Sequence, residues 1–231
     1  MNRALLTPLC ATLAALPLAL GACGGDEETT ITTSTTTTTE ETGTTGEGGQ
    51  ASCATVDKAT GESKGLELDE RCGTEPPAIE ITDLADAADA AGCELRLDAP
   101  DEGNQHIPAT KTPKYETTPP TSGDHDATPL ADGAYLDKPE ERFSVHSLEH
   151  GRVVVQYHPD LPEEDQLALK GVFDDDPEGM ILIPNPEMPY EVAATAWRQG
   201  LGCDAYSPEV LDAVRDFRDE FRGKGPEAIP L

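Results

Sequence analysis

Basic residues are scarce in this chain. Sixteen Lys and Arg stand against 45 Asp and Glu, a formal net charge of −29. Such a surface repels phosphate backbones and anionic headgroups, which excludes nucleic acid as a partner and direct electrostatic adhesion to a lipid surface. Aromatic side chains are few, 4% of residues with one tryptophan, so any core must be mainly aliphatic. No C-x-x-C pair occurs, which argues against a zinc ribbon or a dithiol redox motif. Neither Ser122 nor Ser147 sits in a G-x-S-x-G turn, so no nucleophile elbow supports a serine hydrolase. Internal repeats are absent. A long apolar run occurs only at Ala4–Leu20, and Pro8 and Pro17 interrupt it.

That run follows a single basic residue, Arg3, and ends in small residues before Cys23. This is the layout of a secretory signal peptide, expected over residues 1–22, and a poor layout for a permanent span. The tetrapeptide Leu20-Gly21-Ala22-Cys23 resembles the lipobox of bacterial lipoproteins. The resemblance implies that Cys23 carries acyl chains and becomes the mature N-terminus, anchoring the chain on the outer face of a bacterial cell membrane. Each buried CH₂ contributes about 0.8 kcal/mol, so two or three chains hold stably. Residues 23–50 are Thr-, Gly- and Glu-rich and cannot bury enough apolar surface to offset ordering entropy, so a disordered tether is expected. Fully extended, its reach is about 90 Å.

Beyond the tether about 180 residues remain, enough for one core. Cys53, Cys72, Cys93 and Cys203 form an even set for an oxidising compartment. Of the three connectivities, Cys53–Cys72 would close a short polar segment, residues 51–78. Cys93–Cys203 would tie the start of the main domain, 79–231, to a late hairpin.

Within the main domain Thr82 or Asp83 can cap an alanine-rich helix that Gly92 ends. Cys93–Leu97 alternates like a strand. Residues 99–142, rich in Pro, Gly, Thr and Asp, show no periodicity, and a loop of such length in a compact domain needs something to hold it. "RVVVQYH" reads as a strand buried on both faces, "PEEDQLALKGVFDD" as a helix and "GMILIPNP" as a strand parallel to the first. "YEVAATAW" and "LGCDAY" read as paired strands joined through Arg198-Gln199-Gly200. "SPEVLDAVRDFRDEFRGKG" reads as a helix capped by Ser207 and ended by Gly223. The fold expected is α/β or α+β: one small mixed sheet with flanking helices, a long Pro/Gly-rich loop and disulfide staples.

Three motifs stand together: "PPTSGDH" ending at His125, "HSLEHG" from His146 to Gly151 ahead of the valine strand, and "TAW" ending at Trp197. Together they resemble the bacterial envelope family catalogued as domain of unknown function 3105, over roughly Ile79 to Phe221. The resemblance implies an exported or membrane-tethered domain with His125, His146, Glu149, His150 and Gly151 on motif positions, and implies no activity. That family usually has proline where Asp124 stands, a change that would loosen the loop or bring a carboxylate toward His125.

Three readings of H-x-x-E-H remain open at this point. In the first, His146 and His150 bond loop carbonyls and Glu149 pairs with Arg142 or Arg152, giving a binding or scaffold module without metal. In the second, the leading specific one, His106 and His125 from the loop join His146, His150 and Glu149 around copper or zinc. Met180 and Met188 are further candidates that would favour Cu(I), against an ordinary role as core filling. A metal would also order the long loop. In the third, the inverse-zincin signature makes Glu149 a general base, but Gly151 and the valines leave room for only one helical turn. His158 before Pro159 is read as inert and Trp197 as core, and no complete catalytic set stands out to mark an enzyme.

Overall fold

Six strands form one mixed sheet in the order β1-β6-β5-β3-β4-β2. They are β1 Cys93–Arg96, β2 Gly133–Ala134, β3 Val153–Tyr157, β4 Met180–Pro184, β5 Val192–Ala196 and β6 Gln199–Cys203. Four helices accompany them: α1 Leu84–Ala90, α2 Glu141–Glu149, α3 Glu163–Asp175 and α4 Glu209–Phe221. This α+β architecture is read from a computed structural model that describes residues 64–227 and 229–231. The expected signal peptide, Cys23, the tether and Cys53 lie outside those residues. Among the described residues no helix is long and apolar enough to cross a membrane.

β3 and β4 are parallel, in register from Val153 opposite Met180 to Tyr157 opposite Pro184, and α3 is the crossover between them, as the sequence predicts. β5 and β6 form an antiparallel hairpin in which Ala196 pairs with Gln199. The turn is therefore Trp197-Arg198, one step earlier than the expected Arg198-Gln199-Gly200. Arg198 takes the left-handed conformation at φ 61°, which lets the chain reverse there. The disulfide Cys93–Cys203 joins β1 to β6, where the two residues are directly opposed. Cys72 is also disulfide-bonded.

The sheet separates two apolar clusters, because successive strand residues face opposite sides. On one face Val153, Val155, Met180, Leu182, Val192 and Ala194 pack beneath α1, α3 and α4. On the other, Val154, Ile181 and Ile183 pack with Leu148 of α2, Leu130 and Tyr135. Each fully buried Val, Leu or Ile contributes about 1.5–3 kcal/mol, so both faces hold the strands in place. Part of the segment before residue 79 joins this structure: Leu66 and Leu68 pack on the second cluster, and Leu68 bridges to Tyr135.

Two local expectations are corrected. The H-x-x-E-H run is not a single turn but the end of a nine-residue helix, α2. No Gly or Pro interrupts Glu141–His150, and Gly151, at φ 81°, stops the helix only after Glu149. Ser207 does not cap α4 with its side chain. Pro208 occupies the cap position without a side-chain bond, and the Ser207 carbonyl accepts from Val210 N–H at 3.0 Å.

Candidate metal centre

On α2, Arg142, His146 and Glu149 recur at four and three residues, so they share one face. His150 is the residue at the helix end, and its N–H donates to the His146 carbonyl. This stripe meets the long loop. Within the loop His106 and His125 form a parallel bridge: Ile107 N–H donates to His125 O at 2.8 Å, and His125 N–H donates to Gln105 O at 3.0 Å. Two histidines 19 positions apart are thereby placed side by side.

The loop is held by charged side chains that bind its backbone. The Arg142 guanidinium, nearly buried, donates to the carbonyls of Ile107, Pro108, Ala109 and Lys111 at 3.1–3.3 Å and pairs with Asp126 at 3.3 Å. The Glu102 carboxylate accepts from the Thr117 N–H at 3.1 Å and the Thr117 hydroxyl at 2.9 Å. Asp124, where the resembled family usually has proline, accepts from Gln105 N–H at 3.2 Å and pairs with Lys111 at 3.3 Å. Its carboxylate thus fastens the loop rather than joining the histidines.

His106, His125, His146 and Glu149 each offer one ligand atom, and these atoms lie within 4.8 Å of one another. All but His106 are buried. The tautomers follow from the partners. His125 Nδ1 lies 2.8 Å from the Gly123 carbonyl, and His146 Nδ1 lies 2.7 Å from the Asp126 carbonyl. A carbonyl only accepts, so in both rings Nδ1 carries the proton and Nε2 of the neutral ring presents a lone pair. These carbonyls fix ring orientation as outer partners of metal-bound histidines do. His125 Nε2 then faces Glu149 Oε2 at 3.0 Å. A lone pair against a carboxylate oxygen at that distance requires a proton or a cation between them. His106 Nε2 lies 3.7 Å from the same oxygen. His146 Nε2 faces His150 Nε2 at 2.9 Å. The Trp197 ring stands edge-on to His125, centroids 6.3 Å apart, so the TAW motif borders the cluster.

Burial first, with the neighbouring histidines adding to it and the Asp126 carbonyl opposing, pulls His146 from 6.5 down to about 4. Burial also lowers His150, partly offset by Glu227. Between about pH 6.5 and 4 the unfolded chain takes up a proton that folded His146 refuses. Folding stability of the metal-free protein is therefore expected to fall on acidification through that window. Urea melts at pH 7 and pH 5 check this: His146→Asn should show a smaller drop than the natural chain.

Several candidates fall elsewhere. Glu149 pairs with neither Arg142 nor Arg152; Arg152 pairs with Asp132 at 3.2 Å. Met180 packs in the larger apolar cluster, and Met188 is buried after β4. Neither belongs to the histidine set. His158 pairs with Asp160, apart from the cluster. His150 touches His146 but is not among the four. In an inverse zincin both α2 histidines would share the ion and Glu149 would stand free as base; here Glu149 belongs to the donor set. Glu227 has no signal in the sequence, and Arg142 is expected there only as a partner of Glu149; its bonds to four loop carbonyls follow from folding that brings distant backbone together.

The fold and cluster define an α+β domain with three histidines and a carboxylate gathered between a helix and a braced loop. The chain belongs to the family described as Protein of unknown function (DUF3105), which it matches over residues 106–229. The match includes every member of the cluster and Trp197, and leaves α1 and β1 outside. No curated protein and no solved structure matches the chain.

Proposed function

We propose that this domain binds one transition-metal ion, zinc or copper, through His106, His125, His146 and Glu149. The supporting observation is the 3.0 Å approach of His125 Nε2 to Glu149 Oε2 while the other ring nitrogen is committed to a carbonyl. Imidazole with carboxylate suits Zn²⁺ or Cu²⁺, and with Met180 in the core no thioether favours Cu(I). Tetrahedral ligands about 2.0–2.1 Å from zinc lie about 3.4 Å apart. The set, spanning up to 4.8 Å, needs a small closure, and the exposed ring of His106 can supply it. In this proposal the domain sits outside the cytoplasm, tethered to a bacterial membrane through acylated Cys23, on the support of the apolar run Ala4–Leu20 and the Leu20-Gly21-Ala22-Cys23 tetrapeptide. A net charge of −29 draws cations to such a domain.

Tag-free protein loaded with zinc or copper and desalted should retain one ion per chain. Ligand at about 1,000 times its Kd stabilises by about 4 kcal/mol, so loading should raise the melting temperature by roughly 10 °C, and chelator should reverse the rise.

A second reading has its own observation: both buried rings donate to loop carbonyls. Here a proton lies between His125 and Glu149, and the pair fastens the loop without metal. It requires no retained ion and a melting temperature indifferent to chelator.

A further inference from the structure

His150 and Glu227 lie outside the four-residue set yet adjoin it. His150 Nε2 is 2.9 Å from His146 Nε2 and 3.3 Å from Glu227 Oε2. Glu227 is on the C-terminal tail, which is fixed against the end of α2. Its N–H donates to the Glu149 carbonyl at 3.1 Å, and Gly223 N–H donates to the Gly151 carbonyl at 2.8 Å. At Gly225 a Cβ would stand 2.2 Å from the Glu149 carbonyl oxygen, so the close approach requires glycine. Arg152, buried, donates to the carbonyls of His150 at 3.1 Å and Pro230 at 3.2 Å. Glu227 is thus held beside His150 by backbone contacts rather than by chance of a surface side chain.

The cluster meets solvent on two sides, through His106 of the inner set, 47% exposed, and through Glu227. Glu227 is 46% exposed and His150 13%, whereas Glu149 is 4% and His125 0%. Between the two groups stands His146. Its Nδ1 is committed to Asp126, so Nε2, in contact with His150 and within reach of the inner set, carries its one lone pair.

We propose that His146, His150 and Glu227 form an outer capture position for the same divalent cation, from which His146 passes it to His125, Glu149 and His106. This rests on the metal reading above. The transfer is a ligand exchange: the His146–ion bond persists, the bonds to His150 Nε2 and Glu227 break, bonds to His125 Nε2, Glu149 and His106 form, and the proton that joins His125 to Glu149 in the metal-free chain leaves to water. No electron moves. To bind through Nε2, His150 carries its proton on Nδ1. That atom is buried with no hydrogen-bond partner, so the outer position is costly to occupy and holds the ion only in transit.

The test is zinc uptake by the full metal-free chain, followed by stopped flow with a chromogenic zinc chelator, alongside the equilibrium Kd. Glu227→Gln keeps the tail's backbone bonds and should slow uptake and release by about tenfold while changing Kd less than threefold. His150→Gln should do the same. Glu220→Gln, a comparably exposed acid on α4, controls for general charge and should leave the rates unchanged. Uptake by E227Q and H150Q at the natural rate would overturn the capture position and leave the metal reading standing. So would a large loss of affinity with uptake unaltered. A chain that binds no zinc at all would end both.

Discussion

His125→Ala and His146→Ala are each expected to abolish stoichiometric binding, raising the apparent Kd for zinc or copper by at least about 100-fold. Loss of a partner that merely orients a ligand costs 10–100-fold, and these side chains are ligands whose Nδ1 atoms are already committed to Gly123 and Asp126. Met180 is packed in the apolar cluster and His158 is paired with Asp160, so neither can replace the lost donor, and His150, which touches His146, reaches only the outer side of the set. Calorimetric titration of the metal-free chain reads the effect directly. The melting temperature separates the two readings of the cluster. If a cation joins His125 to Glu149, His125→Ala loses the stabilisation by added metal. If a proton joins them, the same variant strands a buried carboxylate, and the metal-free protein loses about 3 kcal/mol or more.

Arg142→Ala is expected to destabilise the fold by about 3–5 kcal/mol, the usual cost of removing one partner of a buried, hydrogen-bonded charge pair. The guanidinium binds four loop carbonyls and Asp126, so its loss leaves each of them short of a partner. Arg142→Lys should not restore the loss, since an ammonium is a compact point charge and cannot span that row of acceptors. Urea melts measure the cost. Limited proteolysis should show new cleavage between residues 99 and 128, and metal affinity should fall with it, because His106 and His125 are positioned by the loop that Arg142 braces. Unchanged stability would mean that the loop is ordered by other contacts.

The sheet was legible because its strands are unbroken runs of β-branched and apolar residues. "VVVQY" and "MILIP" are buried along their whole length, the pattern of strands covered on both faces. The α4 stripe of Val210, Leu211, Val214 and Phe217 was readable for the same reason: periodicity reports burial. The length of α2 is hard to read because Gly151 and the valines after it mark only where the helix ends, while its start at Glu141 follows a loop without periodicity. Within the candidate site, His106 and His125 were suspected from residue type, but nothing in local sequence sets them side by side. That follows from a backbone bridge between positions 19 apart. Glu227 was invisible for the same reason, being placed by the tail's bonds to Glu149 and Gly151. Asp124 shows the reverse case: the sequence leaves open whether it loosens the loop or brings a carboxylate toward His125, and its carboxylate is used by Gln105 and Lys111.

The most direct measurement is X-ray absorption at the metal edge of the zinc- or copper-loaded, tag-free protein. The account predicts a first shell of nitrogen and oxygen at about 2.0–2.1 Å with three imidazole scattering patterns, reduced by one imidazole in His106→Ala. A loaded sample with no bound ion, or a shell without imidazole, would contradict it.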